Sequence, residues 1–153
     1  MAKKIFKVSE AAAADYEKAT MTVEDILQLD AEGLYEPLAR VDTFRNGLDK
    51  NSFESFKVLS GLDDDTLADA LGVSAKTLQR KEVFDTGQSE KLYQLADLYA
   101  MGINYFGREG FRRWMERPLF TLGNRIPLDL IDVSTGIDLL KAEIMRLQHG
   151  IAI

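Results

Sequence analysis

The sequence predicts an all-α protein: a helix-turn-helix bundle followed by a small helical C-terminal domain. Three observations carry this. Apolar residues recur at helical spacing through most of the chain, and glycine or proline stands where the runs stop. Proline is scarce, at 3 of 153 residues, and β-branched residues are scattered rather than gathered into strand-like runs. The stretch 66–81 has the spacing of two short helices joined by a tight corner.

Residues 1–6 read as a poorly fixed terminus. Ser9 is placed to cap a helix through Ala11, Ala14 and Tyr16, favoured by the high helix propensity of alanine. Thr22 is placed to cap a second helix, with Glu24 and Asp25 in its first turn and Ile26, Leu27 and Leu29 inside. Gly33 and Pro37 break the pattern. Between Val8 and Glu36 stand Glu10, Asp15, Glu17, Glu24, Asp25, Asp30, Glu32 and Glu36, against Lys18 alone. Residues 1–43 are thus an acidic helical segment that either packs on the next domain or folds with a partner.

Phe44, Leu48, Phe53, Phe56 and Leu59 carry helical spacing up to Gly61-Leu62, with Asn51 or Ser52 as the cap. This helix supplies the core wall of the helix-turn-helix. Asp63, Asp64 and Asp65 read as capping and dipole partners of the helix that follows. A metal cluster is the alternative, weakened by a single histidine in the chain and no spaced fourth ligand.

In the helix-turn-helix, Leu67 and Leu71 form one stripe at i and i+4, and Ala68 is small where the second helix crosses. Gly72 suits the left-handed position that ends a helix tightly. Val73 plugs the corner and Ser74 caps the second helix. Leu78 anchors that helix inward, so Lys76, Thr77, Gln79, Arg80 and Lys81 face outward. Read as a recognition helix, these residues with Ser74 form the DNA-binding set: cations for phosphates or guanine edges, glutamine for adenine. The plainer reading is a helical hairpin with solvated charges outside.

Gly87-Gln88-Ser89 punctuates the chain, and Ser89 opens a helix with Leu92, Leu95, Ala96, Leu98 and Tyr99 inward. Ile103, Phe106, Phe111 and Trp114 extend the apolar set, with Trp114 a core anchor rather than a ligand platform. Arg108, Arg112, Arg113 and Arg117 ring this region, either to meet an anionic partner or as solvated helix-face charges. Pro118 ends a helix, Gly123-Asn124 permits a turn, and Pro127 suits the start of a short helix. Ser134 or Thr135 caps the last helix, Asp138 acting as a capping-box partner to Thr135. Its buried stripe is Ile137, Leu140, Ile144 and Leu147. Gly150 stops it, and the apolar tail Ile151-Ala152-Ile153 has no core to fill, as a segment bound for a partner groove would. Domain boundaries follow at 1–43, 44–106 and 107–153.

Composition narrows the function. The chain has no cysteine, which excludes disulfides, thiolate metal sites and cysteine nucleophiles. No apolar run approaches a membrane span and the start lacks the apolar core of a signal peptide, so a cytoplasmic location is expected. The net charge of −6 opposes non-specific DNA binding. It leaves room for a local basic face, presented in duplicate by a homodimer. The one histidine, His149, sits where a cation complements a helix C-terminus, and no Ser-His-Asp pocket surrounds it. No enzyme, cofactor or metal is expected.

The order Phe111, Trp114, Pro118, Leu122-Gly123, Pro127-Leu128, Leu130-Ile131, Gly136, Leu140, Gly150 resembles the toxin-binding domain of Xre/MbcA/ParS-type antitoxins. The run Leu67-Ala68-Asp69-Ala70-Leu71-Gly72-Val73-Ser74, with Thr77-Leu78-Gln79-Arg80, is similar to their Xre-like helix-turn-helix. The resemblance spans Phe44 to the C-terminus. It implies an antitoxin of a RES–Xre type II toxin–antitoxin system, whose partner is a RES-domain toxin that depletes cellular NAD. It further implies occlusion of the toxin's active-site entrance by the segment from Leu119 through the tail, and repression of the chain's own operon. Leu122, Gly123 and Pro127 are implied as scaffold of the toxin-binding surface, with Arg146, His149, Gly150 and Ile151 as contacts. Asn124 stands where relatives often have a second glycine or a lysine, a departure that bears on the local turn. Two other functions compete: a helix-turn-helix transcriptional repressor without a toxin partner, and a structural adaptor. The apolar tail favours the antitoxin, and the acidic balance counts against the plain repressor.

Overall fold

The computed structural model describes residues 20–30 and 36–150, and among them every regular element is a helix. The helix expected from Ser9 through Tyr16, the break at Gly33 and the tail 151–153 lie outside the described residues. Helix α1 (Val23–Leu27) opens on a reciprocal cap, Thr22 accepting from the Asp25 amide and Asp25 from the Thr22 amide. Helix α2 (Pro37–Asn46) corrects the reading of Pro37 as a break. Proline at the first helical position forfeits no hydrogen bond and presets φ, so here it starts a helix, which runs across the 43/44 boundary.

Helix α3 (Lys50–Ser60) is capped by Asp49, whose carboxylate accepts from the Ser52 amide at 3.0 Å, and not by Asn51 or Ser52. Ser52 is buried instead, its hydroxyl donating to the Leu27 carbonyl at 2.7 Å and stitching α1 to α3. Helices α4 (Asp64–Leu71) and α5 (Ala75–Arg80) follow as the expected pair. Helix α6 (Thr86–Phe106) begins before Ser89, on a capping box between Asp85 and Gln88. Ser89 is a buried polar group: its hydroxyl accepts from the Leu48 amide at 2.9 Å and donates to the Phe84 carbonyl at 3.4 Å.

Helix α7 (Arg108–Glu116) leads through two 3-10 turns, Phe120–Leu122 and Pro127–Leu130, into α8 (Ser134–Gln148). Val133 holds the cap position of α8 without a side-chain bond, and the Thr135–Asp138 box does not form. The Ser134 hydroxyl donates to Gln94 on α6 at 2.8 Å, so a tertiary partner claims the group expected to cap locally. Gly136 packs where a Cβ would overlap the Leu130 carbonyl, letting α8 pass close to the preceding turn.

The core is one cluster built around α6, which meets α1 to α4, α7 and α8 through Leu92, Leu95, Ala96, Leu98 and Tyr99. Trp114 is a core anchor as expected, its ring stacked on Phe106 and Phe111 at centroid distances of 5.4 and 5.9 Å. Helices α6 and α8 run side by side in the same direction, Ser134 meeting Gln94, Lys141 meeting Asp97 at 2.5 Å, and Leu147 meeting Tyr105. Ile137, Leu140 and Ile144 are buried along that seam. Leu147, counted in the same stripe from its spacing, is 40% exposed because α6 ends beside it.

Candidate functional site

The corner between α4 and α5 is built as its residues require. Gly72 takes φ 72°, in the left-handed region, and its amide returns to the Ala68 and Asp69 carbonyls. The Ser74 hydroxyl accepts from the Thr77 amide at 3.1 Å and donates to the Thr77 hydroxyl at 2.9 Å. Leu78 is buried, so Lys76, Thr77, Gln79 and Arg80 are exposed and Lys81 is half-buried. Lys76 and Arg80 share a face, one turn apart, and neither forms an ion pair with a described residue.

Gln79 is less free. Its side-chain amide donates to the Asp64 carboxylate at 3.3 Å, while Lys50 donates to the Gln79 backbone carbonyl at 3.1 Å and Lys57 pairs with Asp64 at 2.7 Å. This network fastens α3, α4 and α5 together. The Lys57 hydrogen bond holds the Asp64 carboxyl below the usual carboxylate range, and Asp64 in turn raises Lys57. Asp63, the cap of α4, is also lowered, chiefly by the Thr66 amide that it accepts. Lys50 and Lys57 add two cations near α5, paired with Glu82 and Asp64. Sequence spacing does not reveal them, because they sit on a different helix.

A second surface lies at the other end of the chain. The segment Leu119 to Arg125 is a closed loop: the Leu119 amide donates to the Arg125 carbonyl at 3.0 Å and the Asn124 amide to the Leu119 carbonyl at 2.8 Å. Gly123 and Asn124 both turn through positive φ, at 65° and 62°. Leu122 is half-buried against the core and Pro127 is buried, while Gly123 is exposed. Arg146 is ion-paired with buried Glu143, whose other oxygen accepts from the Thr121 hydroxyl at 3.1 Å. His149 and Gly150 are exposed at the end of α8, and Ile151 lies outside the described residues. Sequence reasoning misses Phe120. It is 87% exposed at the start of the 3-10 turn, next to the base of the loop, and its only signal is an aromatic between Pro118 and Gly123 with no helical partner.

Between the two surfaces runs an open cleft of about 590 Å3, lined among others by Asp69, Gly72, Ser74, Leu128, Asp129 and Asp132. Its carboxylates disfavour a phosphate there. Among the described residues no group of three or more His, Asp or Glu is placed to hold a metal, and no helix is long and apolar enough to cross a membrane.

Comparison with known proteins matches two stretches of the chain. Residues 39–97 match the antitoxin Xre-like helix-turn-helix domain, and residues 101–150 match the antitoxin Xre/MbcA/ParS C-terminal toxin-binding domain. An antitoxin Xre from Yersinia enterocolitica is 24% identical over 117 residues, 72% of this chain and 79% of that protein. A Prs ADP-ribosylating antitoxin from Sphingobium sp. is 23% identical over 128 residues, 74% of this chain and 80% of that protein. With an Xre-like helix-turn-helix passing directly into a toxin-binding domain, the chain belongs to the Xre/MbcA/ParS-type antitoxins.

Proposed function

We propose that this antitoxin neutralises a RES-domain, NAD-depleting toxin in the cytoplasm by covering its active-site entrance, without catalysis of its own. The observation that carries the reading is the end of α8. There the apolar stripe outruns the core, leaving Tyr105, Met145 and Leu147 each at least 40% exposed beside His149 and Gly150, within the residues that match a toxin-binding domain. Exposed apolar surface at a helix end is costly in water unless a partner covers it. The name of the Sphingobium relative, which joins an antitoxin to ADP-ribosylation, supports a partner whose substrate is NAD.

The front module, 44–106, is proposed to bind operator DNA as a homodimer through Ser74, Lys76, Thr77, Gln79, Arg80 and Lys81. Lys76 and Arg80, both exposed and without an ion pair to a described residue, support this. Against a net charge of −6, such binding is strongly salt-dependent. The rear module, 107–153, is proposed to hold the toxin through Leu122, Gly123, Pro127, Arg146, His149, Gly150 and Ile151.

Co-expression with the product of an adjacent RES-type gene tests the toxin half. The two proteins copurify and toxicity disappears. A RES-type neighbour that neither copurifies nor loses toxicity overturns the reading. Arg80→Ala weakens operator binding in a mobility-shift assay and leaves neutralisation intact, whereas deletion of residues 150–153 does the reverse. Equal loss of both activities from either change overturns the division of labour.

A further inference from the structure

We infer that Phe120 is the aromatic anchor of the toxin interface, seated in an apolar pocket of the toxin whose rim carries carboxylates. The inference rests on the toxin-binding reading and names the chemistry of the partner's side. Phe120 is more exposed than any other large apolar side chain among the described residues. Its exposure is not that of a loose loop.

The turn that carries it is latched three ways. The Leu119–Arg125 bridge closes its base, the Leu122 amide donates to the Leu119 carbonyl at 3.0 Å, and Thr121 is tied to buried Glu143 on α8. A ring held out on a rigid turn has little entropy left to lose on docking, which is the economy of a preorganised hot spot. The charges beside it define the pocket. Arg117 and Arg125 flank the ring in sequence, both are exposed, and neither has an ion-pair partner among the described residues. A hydrophobic ring with exposed arginines three residues before it and five after it, neither ion-paired to a described residue, fits an apolar pocket with an acidic rim. The position is continuous with the match to a toxin-binding domain over residues 101–150, so the occupant is the toxin rather than a second copy of this chain.

The test uses the full chain and a substitution-inactivated RES-domain protein, taken from an adjacent gene, with affinity measured by titration calorimetry. Phe120→Ala raises Kd by about 30-fold, leaving thermal stability and self-association unchanged. Arg117→Glu with Arg125→Glu slows association and removes its acceleration at low salt. Wild-type affinity in Phe120→Ala overturns the inference while leaving the toxin reading standing. So does a change in the oligomeric state of Phe120→Ala alone, which assigns the ring to a second copy. Absence of binding by the unaltered chain overturns the toxin reading and the anchor with it.

Discussion

A carboxylate with 5% of its surface exposed needs partners, and Glu143 finds two: the Thr121 hydroxyl and the Arg146 guanidinium. The pair is unequal. Arg146 keeps 41% of its side chain exposed, so on losing Glu143 it can turn to water, while Glu143 left alone stays desolvated. Arg146→Ala therefore costs more than Arg146's own contacts are worth, about 2 kcal/mol, because it strands a buried charge. Glu143→Ala frees the 3-10 turn as well as the arginine and costs a similar amount. The double variant costs less than the sum of the two, with a coupling of about 1 kcal/mol in a urea-denaturation cycle. The Arg112–Glu116 pair, at 3.5 Å with both side chains more than half exposed, is the control. Removing it changes stability by no more than about 0.5 kcal/mol. Strict additivity at Glu143 and Arg146 would contradict the idea that this pair braces the Phe120–Leu122 turn.

Helix α4 puts its start under pH control. Asp63 and Asp64 are both lowered from the ordinary value of 3.8, the first by the Thr66 amide and the second by Lys57. A carboxyl depressed in the folded state gives stability that is present above its ordinary value and is lost as pH falls through the folded value. The thermal midpoint accordingly holds above about pH 4 and drops as pH falls below it, through the lowered folded values. Asp63→Asn with Asp64→Asn flattens that drop, because asparagine caps as well as aspartate but does not titrate. An unchanged slope in the variant would place the acid sensitivity elsewhere. Helix starts also show what the sequence can and cannot convey. The caps at Thr22 and Ser74 are readable because donor and acceptor lie three residues apart, and the outward set on α5 is readable from Leu78 by periodicity alone. The starts of α3, α6 and α8 are misread for one shared reason. Ser52, Ser89 and Ser134 look like caps, but their hydroxyls answer to Leu27, Leu48 and Gln94, which lie 25 to 41 residues away. Gln79 is likewise tied to Asp64 across a turn, and Phe120 belongs to no periodic stripe, so local patterns hide both.

At the scale of the molecule, two functional modules share one interior. The buried cluster runs without interruption from Val23 on α1 to Ile144 on α8, and α6 walls both modules. Met21 is clamped to Asn104 at the far end of α6 by two 2.7 Å bonds, so even the N-terminal helix is joined to the helix on which α8 rests. Without α6, the rear module would expose Ile137, Leu140 and Ile144, and a chain that short seldom holds a core unaided. Unfolding is therefore expected as one transition. Trp114, the only tryptophan, reports on the rear module through its stack with Phe106 and Phe111, while far-ultraviolet circular dichroism reports on helices throughout. In a urea titration the two signals give the same midpoint and the same slope. A fragment beginning at residue 107 shows neither the tryptophan signal nor helix in water. Separate midpoints, with tryptophan fluorescence changing before or after the bulk of the helix signal, would mean that the modules fold independently and that α6 is only a spacer between them.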